Sequence, residues 1–581
     1  MSKIGGIVRI SAGFIFSFVS YYSIMEYLRM NVFLCKWGLF RSRVLMFFKF
    51  RLFTLYMGLC MAAIFGIVGA CSTEHYKADA DKEVYKIIDD KWKDNFGSKV
   101  NYTISDLPAS PNDVRIENAV PPSGIITLAQ AVAIATAHNR PYQSQKEQLY
   151  LKALDLTLVR YQFAKQWFGT FDTRYTRDSE DEKIEYDAGL GFDQLLADGA
   201  IVSVGIALDW ARFLTGDPQT SLGSVLTASI MQPLLRGRGR KIVQERLTQA
   251  ERDALYQIRL FNRFRKTFVV SIISDYYRVL QLRDVTINAE NNWKRKEQLR
   301  KRLEMEADEG QTARFLVDQA EQSELSARDS WIRAMQSYEQ QLDEFKIRLS
   351  LPTHVNVELD DNELKALVDK GIIEPDYTLD AATETALLWR LDLANSRDGI
   401  DDATRKVIVA ADGLGTQLDL IGSAGVDSTG KTDFTRLQFH KGTYSLGMQV
   451  DLPLDRKTER NAYREALIIL EQQQRQFDND RDNVELDVRQ AHRRLQQEAK
   501  SYGTQYAALE LAQKRVDVSP LLWEAGRLNA RDFIESQDAL LEAQNRVTAA
   551  LVAHLIAKLN FFQDVGVLQV RPDGMWEQRI Q

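Results

Sequence analysis

The chain has 581 residues, a net charge of −6, and only 12 prolines and 32 glycines, clustered between long stretches rich in Ala, Leu, Glu, Gln, Arg and Lys. That is the usage of long helices with polar outer faces rather than of several ordinary ~150-residue domains. The modest, mixed-sign charge gives no reason to expect a nucleic acid as partner. The three cysteines, Cys35, Cys60 and Cys71, lie in or at the end of the apolar N-terminal region, so no disulfide or thiolate metal site is expected downstream.

Residues 1–45 hold an apolar run near 14–24 and read as an upstream extension, with Met46 as the expected initiator. Residues 46–70 have a basic start (Lys49, Arg51), an apolar run and small residues before Cys71, the pattern of a secretory signal. Val68-Gly69-Ala70-Cys71 resembles the bacterial lipobox, in which the cysteine becomes an acylated N-terminus. Cys71 is thus the expected lipidation site, palmitate included, and Ser72 after it favours transfer to an outer membrane. The alternative for 52–70 is a transmembrane anchor, which ~19 residues permit. Residues 71–123 read as a tether with one short helix around 83–92. No window after Cys71 reaches 18 apolar residues, so a membrane crossing there would have to be a β-barrel.

Two repeats follow, 124–352 and 378–566, joined by a linker at 353–377 and followed by a tail at 567–581. Thr127-Leu128, Ala131 and Ala135 recur 251 positions on as Thr378-Leu379, Ala382 and Ala386. Gln232-Pro233-Leu234 answers Leu452-Pro453-Leu454 at an offset of 220, and Glu309-Gly310 answers Ala525-Gly526 at 216. A duplication of this kind builds one pseudo-symmetric object from two similar units. The first unit is longer before its proline by 31 residues, the difference between the offsets 251 and 220.

Within each repeat the pattern runs helix, strands, long helix, shorter helix. Helices are expected at 127–166 and 378–410. Period-two alternation then marks strands: Phe171, Thr173 and Tyr175; Val202 to Trp210; a run ending at Leu226, Ala228 and Ile230; 418–426; and Tyr444, Leu446, Met448, Val450 and Leu452. One apolar and one small or polar face suits a half-buried soluble strand or a lipid-facing barrel strand, and the runs approach the nine to eleven residues that span a bilayer. The extra residues of the first repeat fit a hairpin at 185–212 around Ala197-Asp198-Gly199. Whether it enlarges a barrel or projects from one is open at this level. From 241 to 308 there is neither Pro nor Gly, enough for a helix of ~100 Å. A second such stretch runs from 456 to about 523, interrupted only by Gly503 and Pro520. Gly310 and Gly526 mark reversals before helices at 313–349 and 530–562. Leu540, Ala543, Val547, Ala550, His554 and Ala557 form a coiled-coil seam in the last of these.

With these landmarks the chain, over about 124–565, resembles the TolC family of outer-membrane efflux proteins. The resemblance rests on Thr127-Leu128-x-x-Ala131, on Gln232-Pro233-Leu234-Leu235-Arg236-Gly237, and on Pro453-Leu454-Asp455-Arg456-x-x-Glu459-Arg460-Asn461. Gly310 with Ala313-Arg314, and Gly526-x-x-Asn529-Ala530-x-Asp532-Phe533, add to it. It implies a mainly α fold with a β-barrel contribution: a homotrimer pooling four strands per chain into a 12-strand transmembrane barrel above an α-helical tunnel. It also implies barrel-to-helix elbows at Pro233 and Pro453, and helix-hairpin tips at Gly310 and Gly526 that meet a periplasmic adaptor and an inner-membrane transporter. Asp532 and Glu535 match positions where family members carry carboxylates ringing the narrow end, a periplasmic gate; the first repeat has Leu316 at the corresponding distance from Gly310.

Other clusters read more simply. Arg236 to Lys241 is expected as an elbow at a membrane border, and Lys294-Arg295-Lys296 with Arg300-Lys301-Arg302 as a solvated helix face. The six histidines lack metal-ligand spacing, and Asp398, Asp401 and Asp402 form an acidic patch without a paired base. No nucleophile–base pair, phosphate loop or dinucleotide fingerprint is present, so neither enzyme nor cofactor is expected. The expected function is a passive outer-membrane exit channel of a tripartite efflux or type I secretion system. The alternative is a lipid-anchored periplasmic coiled-coil adaptor or scaffold without a barrel.

Overall fold

A computed structural model describes residues 73–93, 96, 99, 102–104, 121, 123–177, 182–213, 220–373, 378–428, 435–452, 454–571 and 576–578. The expected signal at 46–70, the lipidation site Cys71 and the elbow proline Pro453 lie outside them. Residues 82–581 form one compact unit, which holds the two stretches expected as repeats.

The elements in chain order are helix α1 (Thr73–Lys91), strand β1 (Ile125–Ile126), and helices α2 (Leu128–His138) and α3 (Arg140–Tyr161). Strands β2 (Gln166–Arg177), β3 (Glu182–Leu195), β4 (Ile201–Phe213) and β5 (Thr220–Pro233) follow, then the long helix α4 (Glu245–Asp308) and α5 (Arg314–Arg348). Between the repeats lie β6 (Glu358–Leu359) and α6 (Asp361–Lys370), so the segment expected as a linker carries structure of its own. The second repeat gives α7 (Leu379–Trp389), α8 (Leu391–Gly413), β7 (Gln417–Asp427), β8 (Thr443–Asp451), α9 (Lys457–Glu524) and α10 (Ala530–Val565). A two-stranded end piece, β9 (Leu568–Val570) with β10 (Trp576–Gln578), occupies part of the tail.

Both repeats start their helices in the same way. Thr127 and Thr378 are extended N-caps whose side chains accept from the amides of Gln130 and Ala381, and Gln130 closes the reciprocal capping box in the first. Each expected first helix is in fact two. Asn139 is extended and caps the end of α2 and the start of α3 at once, its side chain accepting from the Tyr142 amide, with Pro141 just inside the new helix. Arg390 makes the equivalent break without a proline, its guanidinium held by Asp392 and Asp487 at 2.9 Å each. The Asn139 amide also donates to the Arg348 carbonyl at 2.8 Å, joining the start of α3 to the end of α5. Two shorter helices thereby stack end to end beside α4.

At 1.5 Å per residue, the 64-residue α4 and 68-residue α9 are each about 100 Å long. Helices of that length are held by their neighbours rather than by propensity alone: α4 packs on α3 and α5, and α9 on α8 and α10. The two repeats join where α4 meets α8 and α10. The main core lies around this junction, with Val84, Ile87 and Ile88 of α1, Phe261, Ile272, Ile273 and Tyr276 of α4, and Leu559, Phe561 and Phe562 of α10 all buried. The Tyr276 hydroxyl donates to the Ile126 carbonyl at 3.0 Å and accepts from the Asp360 amide at 3.2 Å, tying the parallel β1–β6 pair to the long helix.

The remaining strands form one antiparallel sheet in the order β2-β3-β4-β5-β7-β8. Four strands per chain are expected from the family resemblance; the sheet has six. The added pair is β3 and β4, which flank Ala197-Asp198-Gly199 as expected, but they pair in continuous register with β2 and β5 along their whole lengths.

One histidine gives this helical body a pH signature. His554 of α10 is buried beside a cavity of about 360 Å³ lined by Tyr277, Glu363, Lys370 and Lys558, and its Nε2 has no hydrogen-bond partner. Burial, reinforced by the Lys558 charge, lowers its pKa from 6.5 to about 4. The folded state therefore holds the neutral ring, whereas the unfolded chain protonates it below about 6.5. This stabilisation is present above pH 6.5 and is lost progressively as pH falls towards 4. Melting temperatures recorded across that window should fall, and His554→Gln should flatten the fall.

Candidate functional site

Because cross-strand partners share a face, the register sorts every residue of the sheet. One face carries Trp167, Phe171 and Tyr175 of β2; Ile184, Tyr186, Leu190 and Phe192 of β3; and Val202, Val204, Ile206 and Leu208 of β4. It continues through Leu226, Ala228 and Ile230 of β5, Leu418, Leu420 and Val426 of β7, and Tyr444, Leu446, Met448 and Val450 of β8. The opposite face carries Thr170, Asp172, Arg174, Asp187, Asp193, Ser203, Asp209, Thr227, Ser229, Ser423, Ser445 and Gln449 among small residues, with a few large apolar ones, Phe168, Val225, Met231 and Ile421. The mainly apolar and mainly polar sets keep the same phase across all six strands.

Most of the apolar face is uncovered, Val426 being a buried exception. Leu446 is 79 % exposed, Met448 70 % and Trp167 64 %, and Trp167 packs only sideways onto Phe192 at 5.1 Å between ring centres. On the polar face, Asp172, Asp187 and Asp209 stand in one cross-strand row. Gly191 leaves the room that the Phe168 ring takes up, since a Cβ there would come within 2.5 Å of it. A surface this large and this apolar on one side marks an interaction face.

At the sheet's helical end, Pro233 closes β5 opposite Asp419, and the next amides are held in turn. Leu234 donates to the Leu418 carbonyl at 2.7 Å, Arg236 to the Thr416 carbonyl at 3.3 Å, and Gly237 to the Asp412 carboxylate at 2.8 Å. The β3–β4 turn docks here, the Gly239 amide donating to the Asp198 carbonyl at 3.1 Å.

The helix reversals are built alike in both repeats. Gly310 (φ +78°) and Gly526 (φ +65°) take left-handed conformations after α4 and α9. The following amides of Gln311 and Arg527 reach back five residues to the carbonyls of Glu306 and Leu522, at 2.8 and 2.9 Å. Only the second tip has a side-chain cap, the Asn529 carbonyl oxygen accepting from the Asp532 amide at 2.8 Å. Asp532 and Glu535 are exposed at the start of α10. The structure puts the pair on one helix but brings neither to a partner group that would assign a role within a single chain.

Sequence reasoning missed the polar seams between the repeats. Asp284, Asn288, Asn292 and Lys296, four residues apart on α4, meet Thr548, Asn545 and Asp538 of α10 at 2.7–3.3 Å. Lys296, expected on a solvated face, is buried against Asp538, whereas Lys294 and Lys301 are paired along the helix with Glu290 and Glu297. The acidic patch also has partners: Asp398 accepts from Arg259 at 2.6 Å, and Asp402 from Arg405 at 2.9 Å and Tyr256 at 2.7 Å. Burial and Asp402 together raise the Tyr256 pKa. A four-residue spacing of polar groups in α4 was the available signal, but it does not name the partner helix. Among the described residues no group of side chains could hold a metal ion, and no helix is long and apolar enough to cross a membrane.

No protein-family model matches the sequence, and no curated protein does. Solved structures do match in fold. The chain is similar to the open-state MtrE outer membrane channel of Neisseria gonorrhoeae (13 % identity, TM-score 0.55, covering 80 % of this chain and 93 % of that one). It is similar to the CmeC outer membrane channel of Campylobacter jejuni (12 %, 0.55, 78 % and 87 %) and to the outer membrane protein VceC of Vibrio cholerae (12 %, 0.54, 76 % and 96 %).

The tips and the long helix respond to substitution in opposite directions. Gly310→Val and Gly526→Val each force a branched side chain into the left-handed region and should cost about 1–2 kcal/mol. Gly503→Ala, inside α9 where an added Cβ meets nothing within 4 Å, should gain up to about 1 kcal/mol. Denaturant titrations of the purified variants measure both signs.

Proposed function

We propose that the chain is one third of a trimeric outer-membrane exit duct serving an efflux or type I secretion system. The observation that carries this reading is the two-faced sheet joined to helices of about 100 Å. An exposed apolar face backed by a small and charged face suits a wall between lipid and water. Lipid also accepts a sheet only when its edges are closed, and one chain leaves two edges open, at β2 and β8. Several copies in a ring satisfy both demands, and the fold shared with outer-membrane channels supports three. The helices then form the periplasmic part of the tunnel, and an acyl group on Cys71 adds a lipid anchor.

In this reading the Gly310 and Gly526 tips meet a periplasmic adaptor and, through it, an inner-membrane transporter that supplies the energy, while Pro233 and Pro453 turn the barrel into the helices. Asp532 and Glu535 of three copies form an acidic ring at the narrow end and favour cations. The duct itself catalyses nothing. The adaptor or scaffold reading would need no lipid-facing strand, and the exposed face of β8 weighs against it.

Reconstituted protein should form a heat-sensitive trimer that conducts ions across planar bilayers, and a monomeric, non-conducting preparation would refute the reading. Asp532→Asn with Glu535→Gln should lower cation over anion preference in the same recording. Leu446→Arg and Val450→Arg should each cost about 2–4 kcal/mol at the midplane and block trimer assembly, whereas Ser445→Arg on the other face should be tolerated.

A further inference from the structure

The hairpin of β3 and β4 falls in the region of the first repeat that has no counterpart in the second, and its faces say where it belongs. Ile184, Tyr186, Leu190, Phe192, Val202, Val204, Ile206 and Leu208 share the apolar face with β2 and β5, while Glu185, Asp187, Asp193, Ser203 and Asp209 share the polar one. A hairpin projecting into water from the rim would have no reason to keep that phase. Its strands of 14 and 13 residues are as long as those on either side. Each is hydrogen-bonded along both edges, so neither can peel away without exposing two rows of amides and carbonyls.

The arcs agree as well. Below the sheet, α3, α4, α8 and α9 lie side by side in that order. Four helices about 9–10 Å apart cover an arc of ~36–40 Å. Six strands ~4.8 Å apart and tilted by ~40° cover ~38 Å, whereas four would cover only ~25 Å. The extra width enters between β2 and β5. There the chain passes from Pro233 through a separate four-residue helical turn, Arg240–Val243, before α4 starts at Glu245, whereas in the second repeat β8 ends at Asp451 and α9 starts at Lys457. The β3–β4 turn is seated in this elbow: a Cβ on Gly199 would come within 2.8 Å of the Gly237 carbonyl.

We infer that β3 and β4 are part of the transmembrane wall, so that three six-stranded sheets close into one 18-strand barrel, β8 of each copy pairing with β2 of the next. The even strand number makes that closing pair antiparallel, as the rest of the sheet is. An 18-strand barrel is half as wide again as the 12-strand barrel implied by the family resemblance, and of the size that leaves an open aqueous channel. The helical tunnel, rather than the barrel, would then set the size limit for cargo. This inference rests on the trimeric duct reading.

Electron cryo-microscopy of the full chain in lipid nanodiscs counts the strands crossing the membrane. Eighteen is the expected result. A trimer with twelve, and the hairpin outside the bilayer, would overturn the inference and leave the duct reading intact; a particle that is not a trimer would overturn both. A second readout needs no high-resolution map. Fluorophores attached at Leu190→Cys and Ile206→Cys should be quenched severalfold more by nitroxide-labelled lipid than one at Ser203→Cys. Equal, weak quenching at all three positions would contradict a hairpin built into the wall.

Discussion

The phase of the sheet register governs most of what this chain can do. Strand residues alternate between two faces, so a slip of one residue in any ladder would turn that strand's apolar set to the opposite side. No ladder here slips: from Trp167 on β2 to Val450 on β8, one side is mostly apolar and most carboxylates of the strands fall on the other, with exceptions such as Thr173 and Ser224 on the first and Phe168 and Ile421 on the second. A sheet so divided, with its apolar side largely bare and two free edges, is incomplete in water. It is complete when lipid covers one face and further copies close the edges. In the proposed duct, the demand for other copies thus arises from the backbone and the register of one chain.

The helices obey a different constraint. Helices of about 100 Å cannot pack as the interior of a globule. Each is instead flanked by two shorter helices that meet midway, with Asn139 and Arg390 making the breaks. Apolar packing concentrates near that level, around Phe261, Tyr276 and Phe561. Below that level the repeats are joined by polar pairs, the row from Asp284 to Lys296 against α10. Such pairs fix which residues face each other but contribute little net stability where water reaches them. At the tips a smaller apolar cluster, Leu299, Leu303, Val317 and Ala320 with Trp523, Phe533 and Ile534, joins the repeats again.

Much of this was legible in the sequence because the signals were local and periodic. Alternation at Tyr444–Val450, the breaker-free run to Asp308 and the glycines at 310 and 526 each specify a strand, a helix or a reversal from neighbours within a few residues. The break at Arg390 was not legible, because no proline marks it and its hold comes from Asp487, almost a hundred residues away. Neither was the burial of Lys296, since a lysine among lysines and glutamates looks solvated until Asp538 is brought beside it. The added hairpin was visible as two strands, but its membership of the sheet depends on long-range pairing that no local pattern contains. At the tip, Asp532 and Glu535 were named for their distance from Gly526. In one chain they are simply an exposed, capped helix start, and a role for them requires other copies.

The central claim is that the sheet divides lipid from water, and an accessibility scan along β8 tests it most directly. Spin labels placed one at a time from Thr443 to Asp451 in the membrane-reconstituted protein report collisions with oxygen, which concentrates in lipid, and with a water-soluble relaxing agent. A period of two is expected: high oxygen accessibility at positions 444, 446, 448 and 450, and high aqueous accessibility at 445, 447 and 449. Uniform aqueous accessibility at all of these positions would contradict the claim.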